Sequence, residues 1–337
     1  MSFKKNCRDA LTVALERGVA GTPEHGQWNF YNASPLPGLE TAWKNAFSCY
    51  QGFRPEFLTL VKQGYAVSPE FSDVSSGAGK GAVFILGRSR NWNEHWLARI
   101  WKNLKQGEVL VVTGDKSGGI GSIRKWFGKR FAPVESFSKY HAIVFWAVKQ
   151  GEDKVPIPEI EHDADGFLVE DGMFSSEGPD AASKFLAEHF NNRIRGKVAD
   201  LGAGWGYLSA QALKSSDRIE AIDLYEAHHR SQLAAVKNLE PFEVQKTFHW
   251  IDITTEFPKK PYDWVIMNPP FHSGGRAAEP ELGKRFIEVA SSTLPSGGRL
   301  VMVANKNLPY EKTLEEKFRR YEKLAERDGF KVFEAVK

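Results

Sequence analysis

Apolar positions along the chain fall into two successions of short runs separated by stretches of helical spacing. In the first, GAVFILG (Gly81 to Gly87), EVLVVTG (Glu108 to Gly114) and HAIVFWAV (His141 to Val148) are continuous and rich in β-branched or aromatic residues. Such runs read as strands buried on both faces. Between the first two, Trp92, Trp96, Leu97, Ile100 and Leu104 recur at helical spacing around the segment Trp92 to Asn103. The second succession is longer: KVADL (Lys197 to Leu201), RIEAI (Arg218 to Ile222), TFHWI (Thr247 to Ile251), DWVIM (Asp263 to Met267) and RLVMVA (Arg299 to Ala304). A helix is predicted over Glu281 to Leu294, ended by the turn Pro295-Ser-Gly-Gly. Strands alternating with helices imply a parallel α/β layer in each half. At the C-terminus the pattern changes, because Tyr321 to Glu326 and Phe330 to Val336 flank Asp328-Gly329, a strong signal for a two-residue hairpin. The second half therefore reads as a doubly wound parallel sheet closed by an antiparallel hairpin.

Between the successions lies QGEDKVPIPEIEHDADG (Gln150 to Gly166), acidic, with two prolines and neither a helical nor a strand period. It predicts a linker over about 150–166 between an N-terminal domain (1–155) and a C-terminal domain (156–337). A length of 337 residues suits two domains, and 42% hydrophobic with 26% charged content excludes a disordered or fibrous chain. The longest apolar run, Ala142 to Val148, is far below the roughly 20 residues of a membrane span. Arg8, Asp9, Glu16 and Arg17 interrupt any signal-peptide core, so a cytoplasmic protein is expected. A net charge of +3 permits a polyanionic partner and excludes histone-like binding. Cys7 and Cys49 form no disulfide framework and no zinc spacing, and His228, His229, His249 and His272 show none either, so no metal is expected.

Three segments carry candidate chemistry. Asp200-Leu-Gly202-Ala203-Gly204-Trp-Gly206 stands where a strand ends and a helix should begin, where glycines let backbone turn against a ligand and helical N–H groups lie unpaired. Its G-x-G-x-G spacing, with Tyr207 where a third small residue is required, departs from the dinucleotide fingerprint and disfavours a dehydrogenase. Asp223, at the expected tip of the next strand, suits a ribose diol, and Asp252, at the end of the third, can accept from an adenine amino group. Asn268-Pro269-Pro270-Phe271 follows DWVIM at the carboxyl edge of the sheet. There the Asn268 side-chain carbonyl and the Pro269 backbone carbonyl can accept both hydrogens of a planar NH2, with Phe271 stacking on its ring. Such an amine has a delocalised lone pair and must be aimed at an electrophile; no strong base is needed, since its proton becomes acidic as the N–C bond forms.

These three segments in this order resemble the class I S-adenosylmethionine-dependent methyltransferases, and NPPF is similar to the tetrapeptides of those that methylate a planar nitrogen. EDGMFSSEGPDAASKFL (Glu170 to Leu186), NPPFHSGG (Asn268 to Gly275), VANKNLPYEKTLEEKF (Val303 to Phe318) and GDKSGGIGSIRKWF (Gly114 to Phe127) resemble the RsmC family of bacterial small-subunit ribosomal RNA guanine-N2 methyltransferases. The likeness covers the chain from about Gly81 onward. Where that family reads F-S-R-D-x-L-D, this chain has Ser176, Glu177 and Pro179 but keeps Phe174, Ser175, Gly178 and Asp180; Ala203 and Trp205 are less usual in the glycine loop. The resemblance implies two tandem methyltransferase-like (Rossmann-type) domains, S-adenosylmethionine as cofactor, and small-subunit rRNA or the small ribosomal subunit as partner. It further implies that the segment from Phe174 closes over cofactor and substrate, the glycine loop holds methionine and ribose, Asp223 holds the ribose and Asp252 the adenine.

The first domain has no acidic glycine loop and no NPPF equivalent, so it reads as a duplicated fold without an active site that handles substrate. Its basic run Lys116, Arg124, Lys125, Lys129 and Arg130, interleaved with Trp126, Phe127 and Phe131, suits phosphates and unpaired bases; a solvated helix with its aromatics in the core fits equally. Two other readings remain: N-methylation of protein glutamine or adenine, which an NPP tetrapeptide also serves, and a ribosome-assembly module with a vestigial site. Methylation of a pyrimidine C5 or by radicals is excluded, because no cysteine follows Cys49. The duplicated domain removes one reason to dimerise, and a monomer is expected.

Overall fold

Runs of apolar residues long enough to be covered on both faces become the central strands of two seven-stranded sheets. The computed structural model describes residues 2–23, 28–71, 79–151, 155–256, 261–270 and 280–337. The chain divides into two units, Met1–Ile160 and Glu161–Lys337.

In the first unit the strands are β1 (Trp28–Tyr31), β2 (Phe47–Tyr50), β3 (Ala66–Ser68), β4 (Gly81–Ile85), β5 (Val109–Asp115), β6 (Glu135–Lys139) and β7 (Ala142–Val148), ordered β3-β2-β1-β4-β5-β7-β6. Helices α1 (Ser2–Glu16), α2 (Thr41–Ala46), α3 (Arg54–Lys62), α4 (Arg90–Asn103) and α5 (Ile120–Arg130) complete it. Alternate strand residues feed two cores: Phe30, Val83, Ile85 and Val111 join Trp28 and Trp43, whereas Tyr31, Phe84, Leu110 and Val112 join Trp96, Trp101 and Phe127. The parallel layer expected from three apolar runs stops at β5, because β7 pairs with it antiparallel. Strands β1 to β3 have three or four residues each, too few for a period to show in the sequence.

The second unit opens with a hairpin of β8 (Glu161–Ala164) and β9 (Phe167–Glu170), turning through Asp165 and Gly166 at positive φ. The later part of the expected linker is thus a strand of this unit rather than connection. Then follow α6 (Ala181–Ala187), β10 (Gly196–Leu201), α7 (Tyr207–Ser215), β11 (Ile219–Glu226), α8 (His229–Leu239), β12 (Gln245–Trp250), β13 (Trp264–Met267), α9 (Pro280–Thr293), β14 (Arg299–Asn305), α10 (Glu311–Lys317), β15 (Arg320–Arg327) and β16 (Phe330–Val336). The sheet order β12-β11-β10-β13-β14-β16-β15 repeats that of the first unit strand for strand. As the sequence predicts, β15 and β16 form an antiparallel hairpin through Asp328 and Gly329, both at positive φ.

Strand order reverses on either side of β10, so connections leave β10 and β13 in opposite directions and open a crevice at their carboxyl ends. Asp200 pairs with Ile266 across these strands. The residues two beyond each, Gly202 and Asn268, therefore leave the sheet side by side.

Candidate functional site

The glycine loop is held in place by β11. Gly202 and Ala203 donate their N–H groups to the Tyr225 carbonyl at 2.9 and 3.1 Å, and Gly204 donates to Glu226 Oε2 at 2.8 Å. Gly206 caps α7 at φ 91°, and a Cβ there would fall 2.5 Å from Leu239 Cδ1, so only glycine brings α7 this close to α8. Trp205, a departure from the family pattern, is buried against Phe167 and donates Nε1–H to the Phe174 carbonyl at 2.9 Å. Asn238 donates to the Trp205 and Leu168 carbonyls, both at 2.9 Å, and accepts from Leu168 N–H at 2.7 Å. Hairpin β8–β9 is thereby tied to the glycine loop.

Asp200 is fully buried at the end of β10. Ser209 donates to its Oδ2 at 2.7 Å, while Oδ1 is buried with no hydrogen-bond partner among the described residues. Burial pushes its carboxyl up to about 7, against the lowering effect of the Ser209 bonds. An orphaned acceptor at the strand end where the glycine loop begins suits a ligand with a cationic end.

The acid at the strand tip is Glu226 and not Asp223. Strand β11 runs three residues beyond Asp223, which pairs with Ala199 inside the sheet. There it accepts from Tyr262 Oη at 2.6 Å, Tyr262 and Tyr225 share a hydroxyl contact, and His249 Nε2 lies 3.7 Å away. Burial pushes the Tyr225 phenol up to about 12 and raises Tyr262 as well. Glu226 instead meets the glycine loop, and its other oxygen accepts from His228 N–H at 2.7 Å. A carboxylate offers four lone-pair positions, so two remain after these bonds. The sequence signal was faint: Asp223 interrupts the apolar positions after RIEAI, whereas Leu224 and Tyr225 resume them before Glu226.

Asp252 follows β12 and is buried. Oδ1 accepts from Thr254 N–H at 2.9 Å and Thr254 Oγ1 at 2.6 Å, and Oδ2 from Thr255 Oγ1 at 3.0 Å. Its carboxylate thus shapes a turn and keeps one acceptor position. Asn268, half-buried, follows β13, with Pro269 buried and Pro270 exposed. Its Nδ2 donates to Ser183 Oγ at 2.9 Å and Asp180 Oδ2 at 3.2 Å. Phe174 is 63% exposed, an unusual position for a phenylalanine. Phe271 lies outside the described residues.

The basic run of the first unit lies on α5 and the turn before it. Lys116, Lys125, Lys129 and Arg130 are exposed, and Arg124 donates to Ser136 Oγ. Trp126 and Phe127 are buried in the core. Of the two readings of this run, aromatics in the core is the one that holds for Trp126 and Phe127, because the helical period turns them inward. Among the described residues no three His, Cys, Asp or Glu side chains are grouped to hold a metal ion, and no helix is long and apolar enough to cross a membrane.

The methyltransferase small domain family matches residues 166–334. The chain is 30% identical over 259 residues to ribosomal RNA small subunit methyltransferase C of Erwinia tasmaniensis, covering 76% of this chain and 67% of the relative. It is 28% identical over 251 residues to the protein of the same name from Shewanella halifaxensis, covering 70% and 71%. The solved structure of the T. thermophilus 16S rRNA guanine-N2 methyltransferase, in complex with AdoMet and guanosine, is similar at a TM-score of 0.80 and 25% identity, covering 98% of this chain and 92% of that one.

Proposed function

Because the chain belongs to the ribosomal RNA small subunit methyltransferase C family, we propose that its second unit transfers a methyl group from S-adenosylmethionine to the exocyclic N2 of a guanine in 16S rRNA. The observation that carries this reading is Asn268 at the switch point beside the glycine loop, its NH2 fixed from behind and its carbonyl left to accept from a substrate amine. The residues present fit the cofactor: the loop Gly202, Ala203, Gly204 and Gly206 provides close backbone, Glu226 has two acceptor positions for a ribose diol, Asp252 has one for the adenine amino group, and Asp200 Oδ1 has no partner among the described residues. Phe174 supplies an exposed ring to cover the ligands.

When bound, the cofactor supplies a methyl carbon made electrophilic by its sulfonium. The Asn268 and Pro269 carbonyls accept the two amine hydrogens and turn the nitrogen lone pair toward that carbon, with Pro270 fixing the backbone. Forming the N–C bond would break the methyl carbon's bond to sulfur, and the nitrogen, held by the two carbonyls, would then give up its extra proton. The gain comes from orientation rather than from a strong base. The guanine must be unpaired or flipped, at a cost of a few kcal/mol. Exposed Lys116, Lys125, Lys129 and Arg130, with Arg124, suit phosphate contacts in the first unit, and a cytoplasmic location follows from an rRNA substrate.

The test incubates the protein and its Asn268→Ala variant with radiolabelled S-adenosylmethionine and unmodified 16S rRNA, free and assembled with ribosomal proteins. N2-methylguanosine should form with the wild type, and the variant should turn over about 100-fold more slowly or worse, with cofactor affinity kept within about threefold. Labelled methyladenosine, or label in protein alone, would overturn the base assignment.

A further inference from the structure

Asn268 can receive an amine only with its amide the right way round, and both partners that set this lie at the start of α6. Asp180 caps that helix: its Oδ1 accepts from Ala182 N–H at 2.9 Å and Ser183 N–H at 3.3 Å. This pair of bonds fixes the carboxylate's rotamer and leaves Oδ2 pointing at Asn268, 3.2 Å from Nδ2, while buried Ser183 places Oγ 2.9 Å from the same nitrogen. A carboxylate has no proton to give, so the atom facing it must be the NH2. Asn268 Oδ1 is then the atom turned toward the crevice. The helix cap and the amide orientation are one hydrogen-bonded unit.

We propose that Asp180, supported by Ser183, is the positioning residue that dictates which way the Asn268 amide faces, and thereby makes the crevice accept an amine rather than a hydrogen-bond acceptor. The proposal rests on the reading that Asn268 receives the substrate amine. It assigns Asp180 a role that capping alone does not require, since serine or asparagine caps a helix as well.

The discriminating variant is Asp180→Asn. The new amide keeps the cap bonds through its oxygen, which aims its NH2 at the Asn268 NH2. Two donors cannot face one another, so Asn268 turns over and presents NH2 to the substrate amine. Turnover should fall by about 100-fold, while the melting temperature and S-adenosylhomocysteine affinity stay near wild type. The double variant Asp180→Asn/Asn268→Asp exchanges donor and acceptor: the amide at 180 donates to the carboxylate at 268, whose other oxygen again faces the crevice. It should recover about tenfold over Asp180→Asn, whereas Asn268→Asp alone sets two carboxylates together and should be inactive. A merely structural role for Asp180 gives no such rescue.

Asp180→Asn at nearly wild-type turnover, or a double variant no faster than that single one, would overturn the proposal. Should Asp180→Asn melt early, Ser183→Ala removes the second Nδ2 partner without touching the Asp180 carboxylate. It should cost turnover several-fold at unchanged cofactor affinity, and no change would overturn the proposal. If instead Asn268→Ala itself turns over normally, the reading of Asn268 fails before that of Asp180.

Discussion

Replacing Glu226 by glutamine separates the two acids that compete for the ribose. Glu226 spends one lone-pair position on Gly204 N–H at 2.8 Å and one on His228 N–H at 2.7 Å, leaving one on each oxygen for a diol. Glutamine keeps a single acceptor oxygen, so one of the two N–H groups meets an NH2 and at least one ribose hydroxyl loses its acceptor. A hydrogen bond to a charged group contributes about 1.5–3 kcal/mol; losing one of about 2 kcal/mol weakens binding about 30-fold. Asp223→Ala has the opposite expectation. It removes the acceptor of the Tyr262 hydroxyl, which keeps only its contact with Tyr225; losing that bond costs about 1–3 kcal/mol of stability and leaves cofactor affinity within about threefold. Calorimetric titration with S-adenosylhomocysteine and thermal denaturation of both variants read the two quantities. Weak binding in Asp223→Ala beside normal binding in Glu226→Gln would refute the assignment.

Two further outcomes follow from the same loop. Asp200 has a native pKa raised from near 3.8 to about 7, so the folded chain holds a proton that the unfolded chain releases; its contribution is present below about pH 4 and is lost as pH rises toward 7. That rise corresponds to about 4 kcal/mol as an order of magnitude, and Asp200→Asn should flatten the fall in melting temperature between pH 4.5 and 7.5 measured without cofactor; an unchanged slope would show that other groups cause it. Gly206→Ala combines φ 91° with a Cβ 2.5 Å from Leu239 Cδ1, a loss of about 2–4 kcal/mol from strain and overpacking, visible as a melting temperature lower by about 5–10 °C and as weaker cofactor binding.

Much of the second unit was legible before any coordinates because its strands are long, apolar and punctuated by glycine and proline, so local composition alone dictates where β10, β13, β14 and the Asp328-Gly329 hairpin lie. The NPP run and the glycine loop were legible for the same reason: both are backbone devices written in residue type. The short strands β1 to β3 were not, since three or four residues carry no period, nor was β8 inside its acidic surroundings. What only the tertiary structure decided concerns long-range pairing. Register with β10 puts Glu226 rather than Asp223 at the strand tip beside the glycine loop, because which acid ends a strand depends on where pairing stops, and that is set by neighbouring strands. Packing turned Trp126 and Phe127 away from any nucleic acid and into the core. Asp180 and Asn268 stand 88 residues apart, and only the fold brings a helix cap against the amide at the end of β13, since a hydrogen bond's geometry is a property of space and not of spacing along the chain.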